Sequence, residues 1–225
     1  MKKISFLLIL LTAGASLSYA LDKGWVIEAT SGDYDYVGAP VANGGIGILP
    51  WREPFSIRHV VLNHVMDVVK YDVPGTLLGI NPFVLGMSVD GQRVSLDNIS
   101  GWKQTVDMRR ATHITAFTVA GSKTEISYQI RALRNMPQCG LITVTVKAMD
   151  DISLETGAVM NVPAECYSQW KCVTRSFEAG KKPVDMLCTN AVSLKGAHRV
   201  AASSLFIHSH QFKDIKVDYH FLRAR

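Results

Sequence analysis

The chain has 225 residues, 48% of them hydrophobic and 19% charged, with a formal net charge of +5. That apolar content suffices for the core of one large domain. Even the densest basic group, Lys213, Lys216, Arg223 and Arg225, is interleaved with Asp214 and Asp218, which suits a solvated strand face and argues against a nucleic-acid partner.

The first twenty residues read as an export signal. Lys2 and Lys3 give a positive start, residues 4–11 are apolar, and Ser18-Tyr19-Ala20 offers small residues to a signal peptidase. Cleavage after Ala20 removes two of the positive charges and leaves residues 21–225 as one domain. The apolar run breaks at Thr12, Gly14 and Ser16 and is too short to span a bilayer, and no later stretch is long and apolar enough to do so. The residue directly after the cleavage site is Leu21 and not cysteine, so a lipoprotein anchor is not expected. The expected location is periplasmic or secreted, with no membrane partner.

Beyond the leader, strand signals dominate. Residues 57–70 carry β-branched valines and read as strand-loop-strand, with Asn63 and Asp67 as interruptions. Asp90-Gly91 between residues 83–89 and 92–96 is a strong hairpin cue. Residues 113–119 and 123–133 form a second hairpin across Ala120-Gly121-Ser122. In its second strand Ile126, Tyr128, Ile130 and Ala132 point one way, and Glu125, Ser127, Gln129 and Arg131 the other. Residues 141–148 alternate again, with Ile142, Val144, Val146 and Ala148 on the apolar side. A short helical turn is expected near 163–171. Residues 200–212 and 215–222 complete the strands, and the strand pattern runs to Arg225, which reads as a truncated product. Gly44-Gly45, Pro74-Gly75, Asn81-Pro82, Asn135-Met136-Pro137 and Lys182-Pro183 punctuate the chain. Short strands without long helices predict an all-β, two-sheet antiparallel β-sandwich.

Chemistry is harder to find. There is no Gly-x-Ser-x-Gly elbow. His208 and His210 share a strand face, with His220 nearby in sequence, while His59 and His64 lack the i, i+4 spacing of a zinc helix. Hydrogen-bonded or exposed histidines account for them, so neither metal nor other cofactor is expected. Cys139, Cys166, Cys172 and Cys188 allow three pairings, including a small Cys166–Cys172 loop, and also suit buried thiols. The lack of Cys-x-x-Cys argues against zinc or thioredoxin-like chemistry. Glycoside cleavage needs two carboxylates at a fixed separation. Glu28, Asp33, Asp35, Glu53, Asp67, Asp72 and Asp107 have no spacing that forces a pair. Among the tryptophans, Trp25 and Trp102 suit core positions. Trp51 lies in the turn-rich Pro50-Trp51-Arg52-Glu53-Pro54 loop, where a large ring is available to stack on a sugar.

Several short motifs occur in order. Trp25 opens the first strand, and Val41-Ala42-Asn43-Gly44-Gly45-Ile46-Gly47 follows. Asp90-Gly91 makes a hairpin turn, and Gln104-Thr105-Val106-Asp107-Met108-Arg109 precedes alternating strands. Together they resemble the N-terminal domain of glycoside hydrolase family 65, the family of maltose, trehalose and kojibiose phosphorylases, kojibiose hydrolases and acid trehalases. The second matches an early Asn-Gly-x-hydrophobic-Gly motif and the last a Gln-x-Leu-Asp-Met-Arg segment. The likeness covers about residues 24–222, and order and spacing make it more specific than any single motif. One departure stands out: the family's arginine soon after the Asn-Gly motif is replaced by Ile48-Leu49-Pro50-Trp51, with Arg52 only later.

The resemblance implies a large sandwich of the galactose-mutarotase-like kind, preceding a helical (α/α)6 barrel that carries the catalytic Glu. That helical region has no counterpart in this sequence, so no catalytic residue is transferred and the chain alone is expected to be inactive. Export favours a hydrolase over a phosphorylase as the parent, acting on α-glucoside disaccharides or oligosaccharides, by inversion if it follows its family. The implied partner is the barrel, normally in the same chain. Asn43, Gly44, Trp51, Arg52, Asn63 and His64 are the candidate carbohydrate-contacting rim residues. A stand-alone carbohydrate-binding module and a structural periplasmic sandwich without ligand are the rival readings.

Overall fold

The structure, a computed structural model, describes residues 24–31, 33, 38–68, 73–179, 182–207, 215–218 and 221–224. The expected export signal lies outside them, as do Asp35, Asp72, His208, His210 and His220.

Among the described residues seventeen strands follow one another: β1 Val26–Thr30, β2 Val41–Ala42, β3 Ile46–Pro50, β4 Ile57–Val68, β5 Pro74–Leu78 and β6 Asn81–Val89. Next come β7 Gln92–Arg93, β8 Ile99–Asp107, β9 Thr112–Val119, β10 Glu125–Ala132, β11 Gly140–Lys147 and β12 Leu154–Asn161. The last are β13 Tyr167–Ala179, β14 Lys182–Ser193, β15 Arg199–Phe206, β16 Ile215–Asp218 and β17 Phe221–Ala224. One 3-10 turn, Leu96–Asn98, interrupts them. The chain is an all-β sandwich whose pairings are antiparallel throughout.

Hydrogen bonding divides the strands into four sheets: β1-β8-β9-β10-β11, β16-β17-β12-β6-β7, β13-β14-β15 and β2-β3-β4-β5. Two cores lie between them. In the first, Trp102, Phe117, Ile126, Tyr128 and Ile130 meet Ile46, Ile48, Ile57, Val60 and Met87. In the second, Leu77 and Ile80 pack with Ala158, Met160, Tyr167, Leu187 and Ala191. Leu62 and Leu85 touch both cores.

The alternation read along residues 125–132 is realised. Ile126, Tyr128, Ile130 and Ala132 are buried, whereas Glu125 and Arg131 are exposed. Asp90 and Gly91 take φ of 50° and 78°, as a two-residue primed hairpin turn requires. Asp90 Oδ1 also accepts the Ser153 N–H at 2.8 Å, tying the turn to the approach to β12.

Four expectations change. Residues 57–68 form one long strand, since its flanks pair continuously; the interruption survives as a register shift between Val61 and Met66, with His64 at φ 63°. Residues 215–222 split into β16 and the start of β17, which pair with each other. Near Pro163 there is a single turn closed by the Cys166 N–H on the Pro163 carbonyl at 2.9 Å, and β13 begins at once. Trp25 is 46% exposed rather than in the core, while Trp102 is buried as expected.

Candidate functional site

The six rim candidates fall into two groups at opposite ends of β3. Five strand residues separate them, roughly 16 Å of chain.

At one end, Asn43 organises the turn between β2 and β3. Its Oδ1 accepts the N–H groups of Gly45 at 2.9 Å and Ile46 at 3.0 Å, and its Nδ2 donates to the Leu133 carbonyl at 2.8 Å. Gly44 takes φ 93°, a conformation that glycine adopts without penalty. At Gly45 a Cβ would run into the carbonyl oxygen of Pro137. Asn63 closes the group from β4: its N–H donates to the Gly45 carbonyl at 3.0 Å and its Nδ2 to the Gly44 carbonyl at 2.9 Å. His64 is exposed beside it. The Asn-Gly-Gly motif is therefore a fastening in which both asparagine side chains are spent on backbone. Asn43→Ala removes three hydrogen bonds and should cost about 2 kcal/mol of stability, measured by urea unfolding. A loss below about 0.5 kcal/mol would deny the turn this role.

At the other end, the loop from Trp51 to Ser56 is pinned from several sides. The Trp51 N–H donates to the Ser56 carbonyl at 2.9 Å, and the Ser56 N–H to the Glu53 carbonyl at 3.0 Å. Side chains of β8 reach across the sandwich: Gln104 Nε2 donates to the Trp51 carbonyl at 2.8 Å and Trp102 Nε1 to the Arg52 carbonyl at 3.0 Å. The Phe55 N–H donates to the Tyr128 hydroxyl at 3.0 Å. The Phe55 ring stacks on Tyr128 at 4.8 Å and meets Phe117 edge-on at 6.0 Å. Phe55 itself has φ 61°, a strained backbone state for a bulky residue, held only where the surroundings over-determine it. The Arg58 guanidinium lies 4.5 Å from the centre of the Trp51 ring, within cation–π reach. Arg52 is exposed.

The Gln-Thr-Val-Asp-Met-Arg segment gains a structural meaning from this. Gln104 is fully buried and holds the loop. Asp107 Oδ1 accepts the Arg110 N–H at 3.1 Å and shapes the turn in which Ala111 has φ 47°. The Arg109 guanidinium lies 5.9 Å from the Trp25 ring. Sequence reasoning missed the fastening roles of Trp102, Gln104 and Tyr128. A buried polar residue inside an apolar strand face was the available signal.

The other candidates disperse. Glu28 pairs with Lys103 at 2.7 Å across β1 and β8. Asp33 Oδ2 accepts the Thr30 N–H at 2.6 Å. Asp67 is buried; the Ser193 hydroxyl beside it, outweighing burial, together with the Val68 N–H and nearby His198, holds its carboxyl below the usual range. None of these acids faces another as a catalytic pair would. Among the described residues no three metal-ligating side chains gather. The four cysteines are free thiols, so the small Cys166–Cys172 loop does not form; Cys166 and Cys172 are buried, and Cys172 Sγ lies 2.8 Å from Thr189 Oγ1. A shallow depression of about 260 Å³ lies on β13–β15, lined by Gln169, Lys171, Asn190 and Arg199 among others, apart from all six rim candidates. No helix among the described residues is long and apolar enough to cross a membrane.

No family model matches the sequence. Individual relatives do. Kojibiose hydrolase of Flavobacterium johnsoniae is 26% identical over 200 residues, covering 88% of this chain and 29% of the relative. Kojibiose hydrolase of Mucilaginibacter mallensis is 29% identical over 193 residues, covering 85% and 28%. Both matches align this chain with the N-terminal part of much longer proteins. The chain matches the N-terminal domain of glycoside hydrolase family 65. A solved structure carrying the name kojibiose phosphorylase, from the human microbiome, shares the fold of this chain. Its TM-score is 0.61 at 10% identity, over 89% of this chain and 29% of the other. The chain thus spans less than a third of the length of these relatives.

Proposed function

We propose that this chain is the non-catalytic N-terminal sandwich of an exported glycoside hydrolase acting on α-glucosides, with kojibiose the first substrate to test. The observation that carries the reading is the asymmetry of the matches: 88% of this chain against 29% of a kojibiose hydrolase. The family 65 fold is fully used here for scaffolding. The polar side chains that fasten the two candidate loops, Asn43 and Asn63 at one and Gln104 and Trp102 of β8 at the other, donate to backbone carbonyls. That suits loops held rigid at the margin of someone else's pocket, with Trp51, Arg52 and His64 offering side chains to the rim. Rigid presentation lowers the ordering cost of any contact made there. The Lys2-Lys3 start, the apolar residues 4–11 and Ser18-Tyr19-Ala20 support a cleaved leader and a periplasmic or secreted domain; N-terminal sequencing of the exported protein should then begin at Leu21.

The purified chain should release no glucose from kojibiose, maltose or trehalose, and reading the gene past codon 225 should find a helix-rich frame with a catalytic Glu. Turnover by the isolated chain would sink the proposal. A saturable change in tryptophan fluorescence with kojibiose, abolished by Trp51→Ala, would instead favour a carbohydrate-binding module.

A further inference from the structure

Among the described residues five buried side-chain atoms have no hydrogen-bond partner in the protein, and four of them converge: Gln104 Oε1, Thr115 Oγ1 and both ring nitrogens of His113. All three side chains are fully buried. Strand register brings them together. Gln104 on β8 stands opposite Thr115 on β9, and His113 stands opposite Val106. Residues two apart share a face, so the three side chains form one polar patch on the inner surface of the sheet. Directly opposed Cβ atoms lie about 5 Å apart and diagonal ones about 7 Å. Folded proteins leave few such groups unpaired.

The chemistry of the patch selects what it binds. Gln104 Nε2 is bonded to the Trp51 carbonyl, which fixes the amide and leaves Oε1 as an acceptor in need of a donor. A neutral imidazole offers one N–H and needs one donor, and a hydroxyl does both. The Tyr128 hydroxyl, opposite Thr115 on β10, accepts the Phe55 N–H and lies near Thr115 Oγ1 without closing a bond to it. The occupant must therefore donate and accept at once. This core buries no charged side chain, so an ion would lack a counter-charge, and an apolar occupant would leave every atom orphaned. Thr115 is short and sits between the rings of His113 and Phe117 on the same face, so its hydroxyl lies at the foot of a step.

We propose that this patch binds an internal water molecule, which donates to Gln104 Oε1, accepts from the Thr115 hydroxyl and makes its third bond to a His113 ring nitrogen. Three such bonds are typical of buried water. The water extends the fastening of the Trp51–Ser56 loop: Gln104 carries the loop on Nε2 and the water on Oε1, so the loop is joined through it to β9. A single neutral water does not restore the hydration of an imidazolium, so burial still resists protonation of the ring. The site is independent of the function proposed above.

A high-resolution crystal structure of the full chain should show a solvent peak within about 3.2 Å of both Gln104 Oε1 and Thr115 Oγ1. Thr115→Val keeps the shape of the side chain and removes the hydroxyl. Its crystals should lack the peak, and oxygen-17 relaxation dispersion in solution should count one long-lived water fewer than in the native chain. Where the variant does not fold, the native density decides alone. A native structure without the peak, or with Gln104, Thr115 and His113 bonded directly to one another, would overturn the proposal. So would a peak and a dispersion amplitude that both survive Thr115→Val unchanged.

Discussion

Tyr128→Ala should destabilise the domain by about 4 kcal/mol, the range for deleting a large aromatic from a packed core. Tyr128 is 1% exposed and stacks on Phe55, and its hydroxyl is the acceptor for the Phe55 N–H. Burial also pushes the phenol up to about 12, so it stays neutral and keeps its proton at working pH. Tyr128→Phe keeps the ring and strands one buried amide, which should cost about 1–2 kcal/mol. For a domain of this size the alanine variant should melt roughly 8–16 °C lower. The comparison separates packing from fastening. Equal losses in the two variants would mean that the ring contributes little, and a Tyr128→Ala loss near 1 kcal/mol would mean that the Trp51–Ser56 loop is not held from β10 at all.

His113 should make the fold acid-sensitive. It is fully buried on β9, opposite Val106 and Ile130, and neither ring nitrogen has a hydrogen-bond partner. Burial pulls its pKa down to about 4 from 6.5. Between those values the unfolded chain takes up a proton that the folded chain refuses. Stability attributable to His113 is therefore complete above pH 6.5 and falls as pH drops, reaching its full loss near pH 4. The difference corresponds to about 3 kcal/mol. Urea midpoints for the native chain and His113→Leu should converge or reverse at pH 7 and diverge at pH 4.5 in favour of the leucine variant. A buried apolar isostere leaves no orphaned nitrogen at either pH. If both proteins lose stability equally over that interval, other groups set the acid limit.

The first hairpins were legible because one face of each strand is wet. Residues 125–132 alternate cleanly, and Asp90-Gly91 carries its turn type in its two residues. The pair β13 and β14 was not found as a hairpin, although Lys182-Pro183 was taken for a turn. Its outward face carries Val173, Phe177, Val184 and Met186, so apolar residues occur on both sides and period two dissolves. The candidate site was half legible. Asn43, Gly44 and Asn63 do converge, but Trp51 and Arg52 lie at the far end of β3. Strand length fixes that separation, and residue type does not reveal it. The tie from Gln104 to Trp51 spans 53 residues of sequence, and no local pattern encodes a partner so distant. Trp25 misled because its aromatic bulk suggested the core, whereas it lies at the sheet margin near Arg109.

The three anchors of the Trp51–Ser56 loop come from residues 50, 53 and 73 positions away in the chain. During synthesis that loop emerges long before any of them, and β1 waits equally for β8. Nothing local can rehearse the native pairing, so closure entropy must be met before contacts return it, and refolding belongs on the millisecond-to-second scale of non-local β topologies. The nascent chain therefore stays open until partners far along the sequence have emerged to close it.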